Sequence, residues 1–255
     1  MLRPRIIPSL LLKGDGLVKT RRFRDPKYVG DPINAIRIFN EKEVDELVVL
    51  DIEASRRGQE PPYDLIGQLA GECFMPLCYG GGVRTADQAR RLFDLGVEKV
   101  AIQTAALDDI GLLGRVAEQA GSQAVVASID VKTDWLGRRR LYASARGAFH
   151  DLPWQRYLQR VQDAGAGEIL LTAVDRDGEM TGLDLALVRE AVALSRVPLI
   201  ASGGARGLDD IAAALRCGAA AVAAGALFVY HGPHRAVLIT YPEPERIDRA
   251  LSALA

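Results

Sequence analysis

Short runs of continuous apolar residues alternate with segments of helical periodicity along the whole chain. "LVVL", "AVVASI" and "EILL" are nearly continuous apolar runs, which suit strands buried on both faces of a parallel sheet. Such runs predict strands over residues 5–12, 46–52, 76–79, 99–103, 124–131, 168–173, 198–202 and 220–224. Amphipathic segments predict helices over 32–42, 64–70, 85–95, 108–120, 154–164, 184–194, 208–217 and 244–254. Eight strands, each followed by a helix, predict a (βα)8 TIM barrel over one domain, residues 1–255. A doubly wound sheet is the alternative reading.

An internal repeat separates the two. Pro76/Pro198, Leu77/Leu199, Gly81/Gly203, Gly82/Gly204, Arg84/Arg206, Asp87/Asp209, Gly96/Gly218 and Val100/Val222 pair at one constant interval. "ELVVLD" at Glu46 matches "EILLTA" at Glu168 by the same interval. A period this long exceeds a solenoid unit and reads as two similar half-barrels.

The repeat places chemistry symmetrically. Two Gly-Gly turns, Gly81–Gly82 and Gly203–Gly204, follow strands three and seven and precede helices. Glycines admit close backbone approach, and helix starts offer free N–H groups, so phosphate is the natural guest. Ala224 and Gly225 end strand eight beside the second turn, and Thr104 follows strand four beside the first. Two such sites predict a ligand with a phosphate at each end, although tight βα turns also use glycine. Carboxylates close other strands: Asp51, Asp130, and Asp175 and Asp177 in "DRDG". Asp130 ends an otherwise apolar strand and is the sharpest acid–base candidate. Asp51 can equally orient loop backbone. At the opposite strand ends Arg5, Glu46, Lys99 and Glu168 predict a ring of two cations and two anions, either a plug or a gate.

The net charge of −1 argues against polyanion binding, so no nucleic-acid partner is expected. The longest apolar run, "AAAVAAGALFVY", is shorter than the roughly 20 residues a membrane span needs. Pro8 and the lack of a small-residue cleavage site argue against a signal peptide. Three scattered cysteines, Cys73, Cys78 and Cys217, fit a reducing cytoplasm. His231 and His234 are separated by Gly-Pro and lack a third ligand, so no metal is expected, and no cofactor motif stands out.

Taken together, "RIIP" at Arg5, "DELVVLDIEAS" at Asp45, "GGGVR" at Gly80, "KVAIQTAA" at Lys99, "GSQAVVASID" at Gly121, "GAGEILLTAVDRDG" at Gly165 and "IASGGA" at Ile200 resemble one family. It is the cyclase subunit of imidazole glycerol phosphate synthase, and the resemblance covers nearly the full chain. The resemblance implies a glutaminase partner on the N-terminal barrel face, whose ammonia crosses the barrel to a bis-phosphate ligand. It makes Arg5, Glu46, Lys99 and Glu168 the ammonia gate, Asp130 an essential carboxylate and Lys19 a residue of a mobile first loop. It puts phosphate on Gly82 and Thr104, and on Asp177, Gly178, Gly203 and Gly204. Three departures stand out. Leu11 occupies the position of the family's other essential aspartate, Gln103 that of an asparagine, and Gly225 that of a phosphate-binding serine. Leu11, "DPKYVGDPINAIRIFNEKEVDEL" and "HGPHRAVLITYP" resemble a branch found in surface-polysaccharide clusters. That resemblance implies nitrogen delivery to a sugar amidotransferase forming acetamidino groups. A histidine-pathway cyclase-lyase and a non-catalytic activator of a glutaminase stay open as alternatives.

Overall fold

The computed structural model describes residues 4–252. Eight parallel strands close on themselves: β1 Arg5–Lys13, β2 Leu47–Asp51, β3 Leu77–Gly80, β4 Lys99–Ile102, β5 Val125–Thr133, β6 Glu168–Ala173, β7 Leu199–Ser202 and β8 Ala221–Ala224. Each pairs with its neighbour in chain order, and β8 returns to β1 to close the barrel. The connecting helices are α1 Pro32–Glu41, α2 Tyr63–Glu72, α3 Ala86–Asp94, α4 Gly111–Ala120, α5 Trp154–Asp163, α6 Leu185–Leu194, α7 Leu208–Arg216 and α8 Pro244–Ser252. The barrel expectation holds, and the last two positions of the helix expected over 244–254 lie outside the described residues.

Local sequence explains the helix starts. Asp31 accepts the Asn34 N–H ahead of α1, with Pro32 at the first helical position. Thr85 and Gln88 form a reciprocal capping box at α3. Asp184 accepts the Leu187 N–H at α6.

Two apolar cores result. The larger lies between the sheet's outer face and the helices. A smaller one fills the barrel interior, from Ile7, Val48, Cys78, Val126, Leu170 and Ile200 with the small residues Ala101, Ala221 and Ala223. Alternation along each strand sends one set outward and the other inward, the expected layering of a filled barrel.

Three βα connections are more elaborate than the sequence predicts. After β1 the chain forms an antiparallel hairpin, Gly16–Arg21 with Arg24–Gly30, where only a polar loop was expected. After β5, Arg139–Ala143 folds back on the strand and pairs with Ala148–Phe149. After β8 a small hairpin joins Tyr230–His231 to Ala236–Val237. All three stand at the C-terminal ends of the strands, where a barrel builds its site.

Candidate functional site

A cavity of about 210 Å³ opens among the C-terminal strand ends. A water needs only roughly 10–15 Å³ by the same kind of measure, so the space suits a small organic molecule. Its floor carries the hydroxyls of Ser9, Ser128, Thr172 and Ser202. Its walls include Asp51, Asp130, Gly81, Thr104, Gly225, Lys19 and Asp177 from the sequence-predicted set, and Leu11. Leu11 and Asp130 therefore border one space from strands on opposite sides of the barrel. Leu11 is held there by pairing with Leu50 on one side and Val18 on the other.

Asp130 is buried, and burial pushes its carboxyl up to about 7. Hydrogen bonds from Gln103, Ser144 and Thr172 oppose that rise, while the charge of Asp177 adds to it. A carboxyl with its midpoint near neutrality can both give and take a proton at physiological pH. Lys19 Nζ donates to both Asp177 oxygens, at 2.8 and 3.0 Å, and the pair is buried. The first hairpin is further tied to the β6–α6 loop by the Arg22 N–H on the Asp177 carbonyl at 2.8 Å. Gly178 makes that approach possible: a Cβ there would lie 2.1 Å from the Thr20 carbonyl oxygen.

Asp51 Oδ1 accepts the N–H groups of Glu53 and Ala54 at 2.8 and 2.9 Å. This caps the short helical turn Ala54–Arg57, so one oxygen of Asp51 orients backbone while the residue lines the cavity. Gly82 stands back from the main cavity, and its N–H donates to Ser55 Oγ at 3.1 Å.

A second, tight recess of about 10 Å³ adjoins the first. Asp177, Gly178, Gly203, Gly204, Ala224 and Gly225 line it, which brings together the whole predicted second phosphate set. Gly225 borders both spaces, and a Cβ there would meet the Lys19 stem at 3.1 Å and the Ser9 carbonyl at 2.9 Å. The glycine thus clears the path along which Lys19 reaches Asp177.

At the other end of the barrel the four predicted charges form one closed ring. Arg5 donates to Glu46 and to Glu168. Lys99 Nζ lies 2.9 Å from Glu46 Oε2 and 2.9 Å from Glu168 Oε2. Both carboxylates are buried and each meets both cations, which compensates their desolvation. On the same N-terminal face, Phe74 projects from the α2–β3 loop, 86% exposed.

Sequence reasoning did not single out the four hydroxyls, Phe23, Arg56 or Ser144. Ser9 and Ser128 stand two residues before Leu11 and Asp130 in strands one and five, so aligning those two strands could have found that pair. Phe23 and Arg56 reach the cavity only because their loops fold over it. Among the described residues no group of three or more His, Cys, Asp or Glu could hold a metal, and no helix is long and apolar enough to cross a membrane.

A closed barrel with a polar cavity at one mouth and a charged ring at the other defines a (βα)8 protein with a pocket of small-molecule size. Residues 5–234 match the histidine biosynthesis protein family, and the chain belongs to it. It is 53% identical over 249 residues to a Pseudomonas aeruginosa protein named "Putative imidazole glycerol phosphate synthase subunit hisF2", covering 97% of this chain and 99% of that one. A Leptospira borgpetersenii protein, "Putative imidazole glycerol phosphate synthase subunit HisF", is 48% identical over 95% of this chain and 96% of its own. The imidazole glycerol phosphate synthase subunit HisF of Dictyoglomus turgidum is 38% identical over 89% of this chain and 90% of its own.

Proposed function

We propose that this chain is the barrel subunit of a two-part nitrogen-transfer system, fed with ammonia by a glutaminase docked on its N-terminal face. The charged ring and the cavity lie at opposite ends of one barrel axis, and this arrangement carries the reading. Between them stands the interior apolar layer, least bulky at Ala101, Ala221 and Ala223. Ammonia is small and neutral, so an apolar layer passes it while retaining ions. Arg5, Glu46, Lys99 and Glu168 act as the gate, because the ring as built closes that mouth. Phe74, exposed on the same face, fits the apolar anchor of a protein interface.

At the cavity, Gly203, Gly204 and the neighbouring backbone of Gly178, Ala224 and Gly225 receive one phosphate, which requires their recess of about 10 Å³ to widen. Gly81, Gly82 and Thr104 receive the other, which requires Ser55 to yield the Gly82 amide. Asp130 moves the proton, and Lys19 acts beside it from the first hairpin. The ligand is a phosphorylated small molecule, and no cofactor is needed for a proton-transfer site of this kind.

Leu11 separates the remaining readings. With leucine where a second carboxylate would stand, Asp130 faces an apolar side chain across the cavity. Losing a positioned acid–base group costs about 10²–10⁴ in rate. This favours specialised nitrogen delivery, through a sugar amidotransferase to acetamidino groups of surface sugars, in the cytoplasm. The retained Asp130 and Lys19–Asp177 cluster favours a second reading, a cyclase-lyase of histidine biosynthesis. Supplying ammonium and the bis-phosphate ribulosyl intermediate decides between them. Little turnover is expected, and robust imidazole glycerol phosphate formation would overturn the specialised reading. A glutaminase stimulated by the Lys99→Ala variant as well as by the parent, with unchanged coupling to product, would remove the gate.

A further inference from the structure

Gln103 follows β4 directly and turns its side chain toward the cavity. Its Nε2 donates to Asp130 Oδ2 at 2.5 Å. Its Oε1 accepts from the Ser144 hydroxyl at 2.6 Å. A primary amide has two ends of similar shape and opposite hydrogen-bonding character, so its orientation must be decided by its partners. Turned over, it would offer Oε1 to a protonated Asp130 and Nε2 to Ser144, and both contacts could still be made. The backbone carbonyl of Tyr142 breaks the tie. It lies 3.4 Å from Nε2 and can only accept, so an oxygen in that place would be repelled. The Ser144 hydroxyl, which also has Asp130 within reach, donates to Oε1 in this arrangement.

We infer that Gln103, clamped by the Ser144 hydroxyl and the Tyr142 carbonyl, is a positioning residue that keeps a donor aimed at Asp130 and so preserves its carboxylate form in a buried site. The inference rests on the reading of Asp130 as the proton-transfer group. The surroundings leave Gln103 the main neutral counterweight to burial. Asp177 faces Asp130 with like charge, though Lys19 pairs with it. Thr172 contributes a hydroxyl from β6. Lys132, two residues on, is drawn over the Tyr142 ring at 4.6 Å, and Tyr157 reaches Asp130 electrostatically from α5. Leu11 brings no charge from β1. Length matters as well: an asparagine at 103 would withdraw the amide by roughly one C–C bond, about 1.5 Å.

The test is a carboxyl carbon NMR titration of the full chain without partner or ligand, with the Asp130 signal assigned by its loss in Asp130→Asn. Gln103→Leu removes the donor at similar volume and should raise the Asp130 midpoint by about one pH unit. Ser144→Ala should raise it by about half as much, and Ser144→Thr, which keeps the hydroxyl, should restore it. If Gln103→Leu does not fold, Gln103→Met, which also removes the donor at similar volume, carries the test. A midpoint moved by less than about 0.2 units in Gln103→Leu and Ser144→Ala would overturn the inference. So would a Ser144→Thr midpoint equal to that of the alanine variant. The titration needs no turnover, so a negative result here is distinct from failure to find the proposed activity.

Discussion

Replacing Asp130 by asparagine should change how stability depends on pH more than it changes stability itself. Burial lifts this carboxyl from its ordinary 3.8 to about 7, so the folded chain holds its proton more tightly than the unfolded chain does. The sign follows: the contribution is complete below the unfolded value and is lost as pH rises through the folded one. A gap of about three units corresponds to about 4 kcal/mol in full. Over pH 5 to pH 8, part of that gap is crossed, which leaves a loss of about 2–3 kcal/mol. Asparagine matches the shape and does not ionise. Urea unfolding of both proteins at several pH values, with m checked for constancy, isolates this group. The stability of the variant relative to the parent should rise by about 2–3 kcal/mol between pH 5 and pH 8. Parallel stability profiles, within about 0.5 kcal/mol, would refute the claim that Asp130 is desolvated in the native cavity.

Three further outcomes follow from the same geometry. Lys99→Met leaves Glu46 and Glu168 with only Arg5 and should cost about 2–4 kcal/mol in urea unfolding, while adding Glu46→Gln should recover part of that loss. Leu11→Asp should cost about 1.5–3 kcal/mol of stability, because a buried apolar wall becomes charged. It should also raise any ammonium-dependent cyclase rate by about tenfold or more, and an unchanged rate in a folded variant would show that Leu11 is not the limiting departure. Gly178→Ala places a Cβ against the Thr20 carbonyl at a positive φ, so limited proteolysis should cut the first hairpin faster than in the parent.

Where much of the candidate site lies could be read without coordinates, for a definite reason. Arg5, Lys99 and Glu168 each open a strand and Glu46 directly precedes one, so knowing the strands alone places them at one mouth. The glycine turns and Asp130 are likewise tied to strand ends. Residues on the long βα connections were not readable in this way. The hairpin after β1 has the turn-rich sequence "KGDG", and its pairing depends on β1 and on the β6–α6 loop rather than on local propensity. Gln103 was visible only as a departure from asparagine. Its contact with Ser144 joins residues 41 apart in sequence, and no local pattern encodes it.

The order of apolar and polar positions was enough to determine a barrel of two similar halves with charges at one end and glycine turns at the other. Alternation and capping act over a few residues, so they are written locally. Whether the four charges meet in one ring, which way the Gln103 amide turns and which atoms Lys19 reaches were decided only by closure of the barrel. Closure brings distant strands to hydrogen-bonding distance and excludes water from Asp130, and it sets Leu11 on the same cavity from the opposite side.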